Sequence, residues 1–207
     1  MTRSARPLVV SLITAAIALA AAPGASAGVL VSTATDCATY TYERPFVRWL
    51  DLANYALVPN GNFESGTGGW SLSGAEVTSG NEPYYVHGSG ESGSLALPAG
   101  SSATTPSMCV GLEHPALRFF ARRTGGSLLS TLKVEVLFET AAGKVQSLPI
   151  GLLTGGSSFQ PTLPVLVVAN LLPLLPNQHT AVAFRLTPEA GSAWQIDDVY
   201  LDPLKHR

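Results

Sequence analysis

Charged residues are scarce in this chain: Asp, Glu, Lys and Arg together make up only 13% of 207 residues. With 46% of the residues apolar, this shortage does not signal disorder, because the chain has enough apolar surface to fold. Basic residues are the scarcer sign, twelve against fourteen acidic, and the chain has no basic cluster of the kind that nucleic acid or an anionic membrane requires. Histidine occurs four times, as His87, His114, His179 and His206, never at metal-ligand spacing. Without HExxH or a zinc-type cysteine pair, zinc chemistry is excluded. Serines abound, but in Gly88 to Ser94 (GSGESGS) a serine stands where a nucleophile elbow needs its last glycine. No GK[ST] follows any glycine-rich loop, which excludes a P-loop. Long helical periods and internal repeats are also missing. The pattern predicts no enzyme.

The longest largely apolar run is at the start. Arg3 and Arg6 precede Leu8 to Ala22, and PGASA supplies a small-x-small cleavage site at Ala25 and Ala27. These are the parts of a secretory signal over residues 1–27, and the run is shorter than the roughly 20 residues of a membrane span. Without Arg3 and Arg6, ten basic residues face fourteen acidic ones, a net charge of −4. The expected product is secreted and extracellular, with no membrane association after cleavage. Only two cysteines occur, Cys37 and Cys109. In an oxidising compartment an even count favours one disulfide, two separate buried thiols being the other reading. A bridge there stabilises by about 4 kcal/mol in the chain-entropy model.

The remaining segments are short and punctuated by Gly, Pro and Ser. Strands are predicted at Trp70–Val77, Tyr84–Val86, Ser94–Leu97, Ser107–Gly111, Leu117–Arg123, Thr131–Thr140, Val145–Ile150, Ala181–Leu186 and Gln195–Leu201. Leu132, Val134, Val136 and Phe138 alternate with Lys133, Glu135 and Glu139, the period-2 pattern of a half-buried strand. Leu117, Phe119 and Ala121 likewise alternate with Arg118, Phe120 and Arg122. Strands at this spacing with such turns indicate an all-β sandwich or barrel. Residues 28–56 form an N-terminal arm, in which Trp49, Leu50, Leu52 and Tyr55 line one side of a short helix or of a wrapping segment. Thr162 to Pro176, the most apolar run after the leader, is interrupted by three prolines. It either seals an end of the sandwich or forms an exposed patch that docks a partner. Asp197 and Asp198, as strand neighbours, are expected on opposite faces.

Two stretches carry a resemblance. NGNFESGTGGW, Asn60 to Trp70, and WQIDDVYLD, Trp194 to Asp202, resemble the opening N-G-x-F-E…G-W and closing I-D-D-V of carbohydrate-binding modules of the family 4/9 type, within the galactose-binding-like β-sandwich group. YVHGSGESGSLALP resembles the mid-chain segment. The resemblance spans Leu57 to Pro203 and implies a jelly-roll β-sandwich over residues 57–207. It also implies a structural calcium ion held by Glu64, by Asp197 or Asp198, and by carbonyls around Asn62 and Gly88–Ser94; hard oxygen ligands of this kind suit Ca2+. Trp70 and Trp194 are expected in the core. A polysaccharide or other glycan would meet Tyr84 and Tyr85, with Arg118 and Arg122 as planar polar partners. The function so implied is a secreted, non-catalytic carbohydrate-binding module. The alternative is an exported structural or adhesion protein that keeps the sandwich without sugar binding.

Overall fold

The computed structural model describes residue 30 and residues 40–111, 115–140, 143–167 and 180–202. The expected leader 1–27, Cys37, three of the four histidines and most of the proline-broken apolar run lie outside the described residues.

The alternating stretches fold as two antiparallel sheets. The first is organised around β14 (Ala193–Asp202). On one side β14 pairs with β8 (Ala116–Gly125), whose outer edge carries β11 (Gln160–Pro161) and β12 (Val165–Leu166). On the other side it changes partner along its length. Trp194–Ile196 pair with β5 (Gly93–Leu97), itself paired with β4 (Glu76–Ser79), whereas Tyr200–Leu201 pair with β2 (Tyr55–Leu57), which pairs with β1 (Tyr42–Glu43). The second sheet runs β10 (Val145–Leu153), β9 (Leu132–Glu139), β13 (Thr180–Pro188), β6 (Ser102–Thr104), β3 (Ser71–Ser73), with β7 (Met108–Val110) also on β13. Thr140 N–H donates to the Lys144 carbonyl at 2.9 Å at the end of the β9–β10 hairpin that the pattern predicts.

The sheets pack face to face because each turns its apolar period inward. Leu117, Phe119 and Ala121 of β8, and Ile196 and Val199 of β14, meet Leu132, Val134 and Val136 of β9 and Phe184 and Leu186 of β13 in one core. Burying each large side chain contributes about 1.5–3 kcal/mol. Trp70 and Trp194 fill this core as expected, at 8% and 1% exposure. The result is a β-sandwich of the jelly-roll kind.

The opening stretch clasps the closing strand through backbone. Val58 N–H donates to the Val199 carbonyl at 2.8 Å, and Val199 N–H donates to the Gly61 carbonyl at 3.0 Å. A Cβ on Gly61 would stand 2.8 Å from both the Val199 and the Val58 carbonyl oxygens, so only glycine fits. This clasp sits where β14 switches from β5 to β2, at a register shift between Asp197 and Tyr200.

Several expectations change. Trp70–Val77 is not one strand: Gly74 at φ 68 splits it into β3 and β4, which belong to different sheets. Tyr84–Val86 is a turn wrapped round the Glu82 carboxylate, which accepts from the N–H groups of Tyr84 and Val86. Such a carboxylate supplies partners that a sheet ladder would otherwise give. Between residues 40 and 56 the arm forms a 3-10 turn at Val47–Trp49, ended by Leu50 at φ 60. Trp49, Leu50, Leu52 and Tyr55 share no buried side, since Leu50 and Leu52 face solvent.

Candidate functional site

The outer face of the first sheet is where the sequence-predicted residues gather. On β8 the positions between the core residues are Arg118, Phe120 and Arg122, and the arm folds over the first two. Phe46, Tyr55, Phe120, Phe159 and Tyr200 form a second apolar cluster, with Trp49 and Tyr84 packed against it. Phe46 stacks on Phe120 at 5.6 Å and meets Tyr55 and Tyr200 edge-on. Tyr84 lies 4.9 Å from Trp49 and 5.7 Å from Phe120, edge-on and tilted. Such geometries suit ring quadrupoles and add stability beyond area burial.

The two arginines differ in what holds them. Arg118 is 5% exposed. Its guanidinium pairs with Asp51 of the arm, donates through Nε to the Thr162 carbonyl at 2.7 Å, and lies 4.2 Å over the Phe46 ring. Tyr55 Oη donates to the same Asp51 carboxylate at 2.7 Å; burial and that carboxylate push the phenol well above its ordinary range. Arg122 donates twice to Gln195 Oε1, from Nε at 2.8 Å and Nη2 at 2.6 Å, and lies 4.8 Å over Phe159. Gln195 continues the chain by donating to Ser94 Oγ, which donates to the Gly80 carbonyl. Of the four residues expected to meet a ligand, Tyr84, Arg118 and Arg122 thus share one face, and only Tyr85, 50% exposed, stands largely in solvent.

Beside this face lies a buried group of carboxylates. Ile196 and Val199 both belong to the inter-sheet core. Two residues, rather than one, therefore separate them, and Asp198 takes φ 46. This bulge overturns the expectation that Asp197 and Asp198 point oppositely: both lie on the outer side. Asp197 Oδ2 accepts from Glu82 N–H at 2.8 Å, and its Oδ1 from Asp198 N–H at 2.9 Å. Burial pushes Asp197 up to about 8 despite those two donors. Asp198 is pushed up to about 9 by burial, then by the charges of Asp197, Glu91, Glu82 and Glu43. Neither of its oxygens accepts a hydrogen bond, and Glu91 Oε2 accepts none either. Asn62 holds the other Glu91 oxygen at 2.7 Å. His87 stands at the rim, its Nδ1 3.3 Å from both Glu43 Oε1 and Tyr200 Oη.

Orphaned, fully buried carboxylate oxygens are costly unless they are protonated or paired with a cation. Their chemistry, hard anionic oxygen, is the donor set calcium takes. Asp198 and Glu91 fit that group. Among the described residues no three His, Cys, Asp or Glu side chains are grouped as a ready-made metal site. Glu64 is engaged elsewhere: its Oε1 accepts from the N–H groups of Ser92 and Gly93. The glutamate of the opening stretch thus ties it to β5, while the backbone ties it to β14. Cys109 is buried in β7 at 2% exposure, and its expected partner Cys37 lies outside the described residues.

The sequence reading missed Phe46, Asp51, Glu82 and Glu91. Phe120 carried the usable signal: a large aromatic between two arginines on a strand's polar side implies a further layer covering that side.

No protein-family model matches the chain, and no curated protein matches it. Solved structures with a similar chain path include carbohydrate-binding modules with a β-sandwich fold, and also the enzymatically active domain of bacteriophage CBA120 tailspike protein 4, at 17% identity and TM-score 0.42 over 69% of this chain and 20% of that one. The N-terminal CBM22-1–GH10 modules of the Clostridium thermocellum endo-1,4-β-D-xylanase 10B, complexed with xylohexaose, align at 14% identity and TM-score 0.49, over 68% of this chain and 27% of that one. The CBM22-1 xylan-binding domain of Paenibacillus barcinonensis Xyn10C aligns at 18% identity and TM-score 0.47, over 71% of this chain and 94% of that one. TmCBM61 in complex with β-1,4-galactotriose aligns at 20% identity and TM-score 0.39, over 69% of this chain and 94% of that one. The chain therefore spans about a quarter of the two-module xylanase and nearly the whole of each isolated module.

Proposed function

We propose that the protein is an exported, non-catalytic glycan-binding module of the family 4/9-like kind, with residues 28–56 as an arm on a sandwich of residues 57–207. The observation that carries this is the planar pair Arg122–Gln195, flanked by Phe159, on the same outer face as the Tyr84–Tyr85 turn. Sugar hydroxyls are fixed by planar polar side chains and C–H faces by aromatic rings. Here Arg122 and Gln195 stand on β8 and β14, and a sheet positions groups better than loops do; Phe159 and Gln195 are 4% exposed, so the ring open to a sugar is that of Tyr85. The binding edge is the Arg122 end of the face, with Tyr85, because the arm covers the rest. A polysaccharide panel run in affinity gels tests it: retardation by at least one polysaccharide, reduced about tenfold by Arg122→Ala. No retardation by any polysaccharide, with the fold intact, overturns it.

One observation favours the second reading, a structural or adhesion protein without a sugar site. The middle of the face is closed, with Arg118 buried under Asp51 and Tyr84 under Trp49. That reading predicts self-association or adhesion that survives Arg122→Ala.

Calcium belongs to the same proposal. Asp198 and Glu91 would hold it, and it would neutralise the buried carboxylates beside the bulge. The Cys37–Cys109 bridge is likewise proposed; it predicts that iodoacetamide adds to both cysteines only after reduction.

A further inference from the structure

A concavity lies at the Ala116–Arg118 end of β8, away from Arg122. It is an open groove of about 600 Å³ between the arm residues Trp49–Tyr55 and the segment Leu163–Leu166, floored by Arg118 and Asp202. That volume is within the usual range of small-ligand sites. We infer that this groove takes a hydrocarbon chain, the acyl or alkyl tail of an amphiphile, entering tail first with its polar head left in solvent. The inference does not rest on the glycan reading.

Three observations select this ligand. First, the walls are aliphatic and stand in water. Leu50 is 91%, Leu52 65%, Leu163 80% and Leu166 56% exposed. Four leucines converging on one opening leave apolar area that a hydrocarbon would cover. Second, the floor's polar groups are already engaged. Arg118 is held by Asp51 and the Thr162 carbonyl, and Asp51 also receives the Tyr55 hydroxyl and the Ala53 N–H. Such a floor has no planar pair free to fix sugar hydroxyls. Third, no flat platform is presented. Trp49 is crowded edge-on by Phe46, Tyr84 and Phe120, at 6.4, 4.9 and 5.4 Å. A sugar or aryl ring needs an open aromatic face, whereas a flexible chain needs only apolar walls.

Trp49 also supplies the assay. Trp70 and Trp194 are sealed in the inter-sheet core, while Trp49 lines the groove. A dibrominated stearate, whose bromines quench tryptophan on contact, is titrated into the full chain below its micellar concentration. Saturable quenching of one tryptophan's share of the emission is expected, absent in Trp49→Phe. Leu52→Asp and Leu163→Asp, both at exposed positions, should each move the midpoint about tenfold with an unchanged melting temperature. Unbrominated stearate and dodecyl maltoside should both compete, their relative midpoints telling a free fatty acid from a sugar-bearing amphiphile, and maltose should not. Four results overturn the inference: no saturable quenching, the same midpoint in both Asp variants, competition by maltose, or a dimer that hides these leucines without probe. Failure of the glycan reading appears separately, in the Arg122→Ala retardation, since Arg122 does not line this groove.

Discussion

Replacing Gly61 by alanine tests the clasp that joins the first part of the sandwich to its last strand. The added methyl would stand 2.8 Å from two carbonyl oxygens, of Val58 and Val199, and 3.3 Å from the Val199 Cβ. All three belong to backbone or to a buried β-branched residue, so none can swing aside. Either the Val58–Val199 and Val199–Gly61 hydrogen bonds lengthen or the bulge opens. Overpacking of this kind costs about 1–3 kcal/mol. Weakening two backbone bonds costs about 1 kcal/mol each. The expected loss is about 3–5 kcal/mol, and at about 2–4 °C per kcal/mol for a chain this size the melting temperature falls by about 6–20 °C. Gly66→Ala is the control. Gly66 has φ +86, and no atom lies within 4 Å of the place its methyl would take, so only backbone strain opposes alanine there. That strain costs about 1–2 kcal/mol. Both variants are compared by urea and thermal denaturation, followed by circular dichroism and tryptophan emission. A Gly61→Ala loss no larger than that of Gly66→Ala would refute the reasoning, because the close approach would then count for nothing.

Three further outcomes are expected. Arg118→Met leaves Asp51 without its cation at the arm's base; the cost is about 3 kcal/mol in chemical denaturation, and adding Asp51→Asn recovers much of it. Arg185 and Lys133 hold Glu135 below its ordinary carboxylate range. Its contribution is therefore present above the unfolded-state pKa and lost as pH falls through the lower folded one. Because Arg185 is itself 35% exposed, Glu135→Gln should cost about 1 kcal/mol or less at neutral pH and flatten the acid limb of the stability curve. For calcium, EGTA should lower the melting temperature and excess calcium restore it. At a hundredfold excess over Kd the gain is about 2.7 kcal/mol, or roughly 5–10 °C; identical melting curves in both buffers remove calcium from the proposal.

Much of the sandwich is written as period-2 alternation. The Leu132–Phe138 series and the Leu117–Arg123 series sort their side chains between core and outer face as the pattern requires. That signal is strong because one face of each strand is buried on the other sheet. It fails where the backbone leaves the regular ladder. The Asp197–Asp198 pair defeats alternation because the bulge inserts one residue, and a bulge has no marker in single-residue chemistry when its left-handed position is Asp rather than Gly. The Glu82 turn is also hidden. Tyr84, Tyr85 and Val86 have strand propensities, yet the Glu82 carboxylate draws in the Tyr84 and Val86 N–H groups as a loop, and Glu82 is itself fixed by donating its backbone N–H to Asp197, 115 residues on. Non-local contacts of that kind override local preference. The site was legible to the extent that Arg118, Phe120 and Arg122 were set on one face. What covers that face was not, because nothing local in the arm says which surface it will meet.

Tyr84 and Tyr85 bring these points to a single comparison. Adjacent and chemically identical, they read in sequence as one platform. The turn at Tyr85, φ 50, separates them: Tyr84 goes under, against Trp49 and Phe120, while Tyr85 is half exposed. Aromatics are only 8% of the chain, but seven of them crowd this face and mostly close on one another. The arm cannot act as a detachable cover, since Phe46 is fully buried among Tyr55, Phe120 and Tyr200. Tyr84→Ala should therefore act on stability, by about 2–4 kcal/mol for a partly buried ring, and leave glycan retardation of the remaining folded protein unchanged. Tyr85→Ala should leave the melting temperature within about 1–2 °C, as expected for an exposed side chain away from special contacts, and weaken retardation. The reverse outcome, affinity lost with Tyr84 and stability lost with Tyr85, would mean that the arm leaves the centre of the face open in solution and that the ligand lies there rather than at the Arg122 edge.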